Sequence, residues 1–138
     1  MKIFSKKNKN TLIAKIFYYK NLKRKRNDIC PNNEFIQLSA QILEKGKIIR
    51  SHSHLNIKRK SNITQEIWLV FRGKIKASIF DINKKILKKV ILSTGDCLIL
   101  FRGGHGFKNI SQNTVFYEIK NGPYFGKGKD TTEILNEL

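Results

Sequence analysis

The chain holds three histidines, and two of them stand one residue apart in Arg50-Ser51-His52-Ser53-His54. Imidazoles bind transition metals and exchange protons near neutral pH. The preceding Gly46-Lys47-Ile48-Ile49 reads as extended, and alternate side chains of a strand point the same way, so His52 and His54 are expected to chelate from one face. Glu66 opens the run Glu66-Ile67-Trp68-Leu69-Val70-Phe71-Arg72-Gly73. An ionised carboxylate at the head of an apolar strand must face water or find a partner, because burying an unpaired charge is strongly unfavourable. His105 follows Gly103-Gly104 at the end of a later apolar run. Imidazoles and a carboxylate are the ligand types of a divalent transition-metal site, and the plain alternative for each histidine is a hydrogen-bonded core or surface residue.

Strands have to position these four residues. Met1 to Phe4 and Thr11 to Tyr19 are β-prone runs about the polar stretch 5–10, expected to form an N-terminal β-hairpin. Lys20 to Asn27 is the densest basic cluster, either a solvated loop or an anion-binding patch, and 28–33, with Pro31, is a loop. From there short runs recur: Phe35 to Glu44, Ile48 to His54, Gln65 to Phe71, Lys74 to Asp81, Ile86 to Leu92, Asp96 to Phe101, His105 to Asn109 and Thr114 to Lys120. Gln65 to Phe71 and Lys74 to Asp81 are expected to pair as a hairpin about Arg72-Gly73, and 56–62 reads as a basic loop. Short strands bounded by turn residues, without a sustained 3.6-residue apolar period, predict an all-β barrel or double-sheet jelly roll. Helix is expected only as a turn near 131–138. If Glu66 points inward, Trp68 and Val70 share its face; if His105 does, Phe107 and Asn109 accompany it. Trp68 is then a core filler or a substrate platform. Lys120 and Tyr124 follow the last strand and can reach the barrel mouth, with solvent the expected place of Lys120.

At 138 residues the chain is one domain's length. Its formal charge of +18 points toward nucleic acid or an anionic surface as a partner. The cations are 22 Lys against 6 Arg, beside 20 Ile and 13 Asn, the residue types that AT-rich codons supply, so composition alone accounts for much of the basicity. Cys30 and Cys97 lack zinc-finger spacing and any disulfide framework; Cys97 reads as a small buried hydrophobe, Cys30 as a free thiol in a loop. A reducing, cytoplasmic setting is expected. The apolar stretch at 11–19 is interrupted by Lys15 and followed by no small-residue cleavage site, and nothing approaches a membrane span, so no membrane association is expected.

The order of these residues resembles the cupin superfamily. Gly46 is followed after five residues by His52-Ser53-His54, and Glu66 after six residues by Gly73, as in the first cupin motif. Gly95-Asp96, the turn Phe101-Arg102-Gly103-Gly104, His105 and Asn109 follow the second. The eleven residues between His54 and Glu66 make a longer gap than the pattern has, which reads as an inserted loop. Gly103 to Phe107 and Glu118 to Tyr124 are similar to small single-domain WbuC-type cupin-fold metalloproteins, and the likeness covers about Phe35 to Lys129. It implies a cupin double-stranded β-helix (jelly-roll) barrel over 34–129, with a hairpin and basic loop (1–33) packed on it and a C-terminal tail (130–138). It also implies a metal site of His52, His54, Glu66 and His105 for Zn, Fe, Mn, Ni or Co and binding or transformation of a small polar metabolite, sugar-related or other, and the shared strand faces put its substrate pocket near Trp68, Phe107, Asn109 and Tyr124. Cupin-like barrels also serve as non-enzymatic sensor modules. The resemblance further suggests a homodimer through Thr11 to Tyr19, unless that strand packs on its own barrel. The competing expectation is a basic nucleic-acid-binding or regulatory protein using Lys20 to Arg26 and Asn56 to Lys60.

Overall fold

The structure, a computed structural model, describes residues 1–134. Ten strands form over these residues: β1 (Lys2–Phe4), β2 (Leu12–Phe17), β3 (Arg26–Asp28), β4 (Ser39–Gln41), β5 (Glu66–Arg72), β6 (Lys74–Phe80), β7 (Ile86–Ser93), β8 (Cys97–Leu100), β9 (Gly104–Asn109) and β10 (Val115–Lys120). A 3-10 turn at Tyr19–Asn21 and one short helix, α1 (Lys127–Asp130), complete the described elements. The protein is therefore all-β. Its strands pair antiparallel in a five-stranded sheet ordered β1-β2-β8-β5-β10, a three-stranded sheet ordered β7-β6-β9, and the pair β3-β4. The helical turn expected at 131–138 lies partly outside the described residues; the helix that is described precedes it.

The runs Ile67-Trp68-Leu69-Val70 and Cys97-Leu98-Ile99-Leu100 are continuously apolar because the middle of the large sheet is covered on both faces. On one face Trp68, Val70, Leu98 and Leu100, with Ala14 and Ile16 of β2, pack with Ile75, Ala77, Ile79, Val90 and Leu92 of the small sheet. On the other, Ile67, Leu69, Cys97, Ile99 and Phe101 meet Ile29, Cys30, Ile36, Leu38 and Ala40 around the β3-β4 pair. β6 and β7 instead alternate, with Lys74, Lys76 and Lys89 exposed and Ile75, Ala77 and Val90 buried, as a sheet with one solvated face requires.

The N-terminal hairpin forms as expected, but β2 continues into the large sheet, flanked by β1 and β8. The strand within Thr11 to Tyr19 is thus an interior one, paired on both edges within the chain rather than left open to a second copy. The expected hairpin of β5 and β6 does not form: the two strands belong to different sheets, and β6 pairs with β7 and β9. A single residue, Gly73, separates them, too little for a hairpin loop. Its φ of +87° turns the corner, and a Cβ there would lie 2.5 Å from Thr114 Oγ1. The chain thereafter crosses between the sheets, β7 to β8, β8 to β9 and β9 to β10. Ile48 to His54 is not a strand; no helix or strand forms between Gln41 and Glu66. Adjacent Ile48 and Ile49 break the alternation and Arg50 to His54 is polar on both faces, so neither face could be buried to stabilise a ladder.

Buried acids tie the corners together. Asp81 Oδ2 accepts from the amides of Lys6 and Lys7 at 2.8 and 3.2 Å, and Oδ1 from Ile82 at 2.8 Å, locking the β1-β2 turn to the β6-β7 turn. Burial opposes ionisation of Asp81, but Ser5 and these amides outweigh it and hold its pKa below the ordinary value. Asp96 joins the end of β2 to the β7-β8 turn through the amides of Tyr19 and Ser93, both at 2.9 Å. Glu34 forms a two-point ion pair with Arg102, both contacts 3.0 Å. Replacing Asp81 with Ala strands these amide donors and should cost about 2–3 kcal/mol in urea unfolding at neutral pH; an unchanged midpoint would contradict the anchoring role.

Candidate functional site

Glu66 and His105 come together from opposite sheets. Glu66 is the first residue of β5 and lies opposite Leu100 of β8 and Lys120 of β10. Alternation turns it, with Trp68 and Val70, toward the small sheet. There His105, near the start of β9 and opposite Ile79, points back. The His105 Nε2 to Glu66 Oε2 distance is 3.1 Å, with side-chain exposures of 31% and 8%. The indole Nε1–H of Trp68 donates to the same oxygen at 3.3 Å. Lys120 Nζ lies 3.9 Å from the other oxygen, Oε1, and 2.8 Å from Glu118 Oε1.

Burial alone would raise the pKa of Glu66. The hydrogen bond and charge of His105, the charge of Lys120 and the Trp68 hydrogen bond together overcome it, holding the carboxyl below its ordinary value. Glu66 is therefore an ionised carboxylate at the inner end of a cluster whose other end, His105 and Lys120, reaches water. The pair can bind a polar molecule through charge and hydrogen bonds, and an imidazole backed by a carboxylate can exchange a proton with it.

Aromatic rings support the pair. Trp68, 1% exposed, stands edge-on to His105 and Phe107, both with ring centroids at 5.2 Å, and Phe116 packs 4.9 Å from Phe107. Of the expected pocket residues, Trp68 is thus buried against His105, and Phe107 is partly buried against Trp68. Tyr124 is exposed and sits under Lys120 Nζ, 5.3 Å from the ring centroid, a cation–π distance. Asn109 is elsewhere: it lies about 13 Å along β9 from His105. Its Oδ1 accepts from the Ser111 amide and the Thr114 hydroxyl, building the β9-β10 turn.

His52 and His54 lie on the exposed segment between β4 and β5, apart from this cluster. Their rings meet edge-on with centroids 5.4 Å apart, and His52 Nδ1 is 3.0 Å from the Arg50 carbonyl oxygen. Among the described residues no three His, Cys, Asp or Glu side chains converge as a metal site. As arranged, then, the four expected donors fall into two pairs, Glu66 with His105 and His52 beside His54, and neither pair alone reaches the three protein ligands of a catalytic zinc centre. Cys30 and Cys97 are free, buried thiols, Cys30 included although its neighbours suggested a loop. Burial, with Asp96 alongside, pushes Cys97 up to about 11, which leaves it unreactive.

The Lys120 contact depends on the β5-β10 register, which local spacing does not encode. The only local sign is that Phe116, Glu118 and Lys120 alternate onto one face. No helix among the described residues is long and apolar enough to cross a membrane.

Because the folded-state pKa of Glu66 is lowered, its interactions stabilise the fold above the unfolded carboxyl pKa of about 4.3 and are lost as pH falls through the folded value. Glu66→Gln should therefore destabilise the protein at pH 7 by on the order of 1–2 kcal/mol, with the gap to wild type closing below about pH 4. A gap independent of pH would contradict an ionised Glu66. Compared with models of known protein families, with curated proteins and with solved structures, the chain matches none.

Proposed function

We propose that the protein binds a small polar metabolite at the Glu66–His105 cluster, in a cupin-like jelly roll whose two sheets face each other across Trp68. The observation that carries this reading is a buried, ionised carboxylate hydrogen-bonded to a partly exposed imidazole, with a lysine beside it. Lys120 supplies positive charge for an acidic or hydroxylated ligand, Trp68 and Phe107 an apolar wall, and His105 a group able to accept or donate a proton, so the same site can bind or transform its ligand. The free thiols fit a reducing, cytoplasmic setting.

One divalent metal ion belongs to this proposal, with Glu66 and His105 as its resident donors and His52 and His54 as those supplied from the segment before β5. The support is chemical: carboxylate and imidazole are the right ligand types, and the two exposed histidines already stand side by side. The stretch from His54 to Glu66 can span up to about 40 Å when extended, so its length does not keep the two pairs apart. When bound, such an ion polarises a carbonyl or hydroxyl of the ligand.

Protein purified without a histidine tag should carry about one divalent ion per chain, as three- and four-ligand sites do. Elemental analysis should show its loss in His105→Ala and in the double variant His52→Ala/His54→Ala. Retention in the double variant would remove His52 and His54 from the site, and absence from wild type would remove the metal. The metabolite site is tested separately by a thermal-shift screen of sugars, sugar acids and hydroxy acids. A ligand should raise the melting temperature of wild type but not of Glu66→Gln; equal shifts in both would overturn the pocket assignment, whereas oligonucleotides as the only stabilising additives would favour the nucleic-acid reading.

A further inference from the structure

We propose that a second site, for a compact phosphate-bearing small molecule, lies in the cleft between β2 and β3. The cleft, of about 350 Å³, is lined by Lys15 and Phe17 of β2, by Arg24, and by Arg26, Asn27 and Asp28 of β3, a volume suited to a small ligand. It opens on the face of the large sheet opposite to Glu66. The inner row runs Ala14, Leu100, Glu66; the next row, Lys15, Ile99, Ile67, faces the other way.

The charges around this cleft are unbalanced. Three cations line it against one carboxylate, Asp28, which is engaged by Arg26 through Nη2 and Nε, both at 2.9 Å. Neither Lys15 nor Arg24 has a carboxylate partner among the described residues. Lys15 is half-buried, and its ammonium is drawn onto the Ile29 carbonyl oxygen. Directly across the β1-β2 ladder stands Lys2, and like charges placed opposite one another destabilise a sheet. Burial first and Lys2 second lower the pKa of Lys15. A dianion in the cleft relieves this repulsion.

The chemistry of the lining favours phosphate over a simple monoanion. The guanidinium fork of Arg24 matches phosphate oxygens two at a time, Arg26 adds the donor that Asp28 leaves free, and the lysine acts as a point charge. Asn27 Nδ2 donates to the Arg24 carbonyl at 3.0 Å, holding the turn that brings Arg24 beside Arg26. Phe17, partly buried, gives an apolar wall for the organic part of the ligand. The cleft is half-open, and its limited volume and aromatic wall suit one or two phosphate groups with an organic part better than a continuous backbone, so the ligand class is a phosphorylated small molecule rather than a nucleic acid.

The probe is inorganic pyrophosphate, titrated by calorimetry and thermal shift at constant ionic strength into the full chain. Binding should saturate at one site and raise the melting temperature. Arg24→Ala/Arg26→Ala, at two exposed positions, should weaken it about ten-fold or more. Lys15→Met should weaken it too while raising the stability of the ligand-free protein by relieving Lys2. Lys85→Ala/Lys89→Ala, which removes the same charge elsewhere, should leave it unchanged, and Glu66→Gln should bind pyrophosphate as wild type does, separating this site from the first. Equal loss in the Lys85/Lys89 control, no saturable binding, or a short oligonucleotide bound more tightly than pyrophosphate would each overturn the proposal.

Discussion

A carboxylate on the inner face of a sheet has to be neutralised from across the interior, and at Glu66 that requirement decides where two strands end. β5 begins with Glu66, so its charge sits where the apolar run starts. β9 brings His105 to it from the facing sheet, and β10 ends with Lys120 beside it. Trp68, two residues on, donates its indole N–H to the same group and fills the space beneath it. The residues that make this end of the interior polar are thus continuous with those that make the rest apolar. That continuity lets a fold stabilise a buried charge at the edge of its interior, within reach of water.

The same economy governs the other acids. The chain has ten acidic residues against 28 basic ones, and four of the ten, Glu34, Glu66, Asp81 and Asp96, are largely buried and bonded to groups of the fold. Asp81 and Asp96 tie turns that are distant in sequence, and Glu34 with Arg102 and Gln65 fastens the segment before β4 to the strands beneath it. Acids spent inside leave the surface with few anions. The high positive charge of the exterior is therefore partly a consequence of how the interior is held, in addition to the lysine-rich composition. Around Lys15 and Arg24 those cations outnumber the one carboxylate, Asp28, and the proposed phosphate site rests on that excess.

Much of the strand framework was legible in the sequence, because alternation and turn residues are local. β2, β5 to β10 and the N-terminal hairpin follow the runs read from composition and spacing, and the shared faces of Glu66 with Trp68 and of His105 with Phe107 follow from their parity, whereas which face turns inward does not. What was not legible depends on long-range partners. Gly73 reads as a hairpin turn, yet with one residue between strands it is a corner between sheets. His52 and His54 read as a strand pair, yet Ile48 to His54 has no face that burial could stabilise. Asn109 shares parity with His105 but is consumed by the turn that Ser111 and Thr114 complete. The Lys120 contact comes from a register linking positions far apart in the chain, which spacing alone does not encode.

The coupling between Glu66 and His105 is measured most directly by a double-mutant cycle on stability at neutral pH, comparing wild type, Glu66→Gln, His105→Ala and the double variant. A hydrogen-bonded, partly buried pair should show an interaction energy of about 1 kcal/mol or more. Strictly additive effects would mean that the two residues do not act together, and the site built on their contact would fall with it.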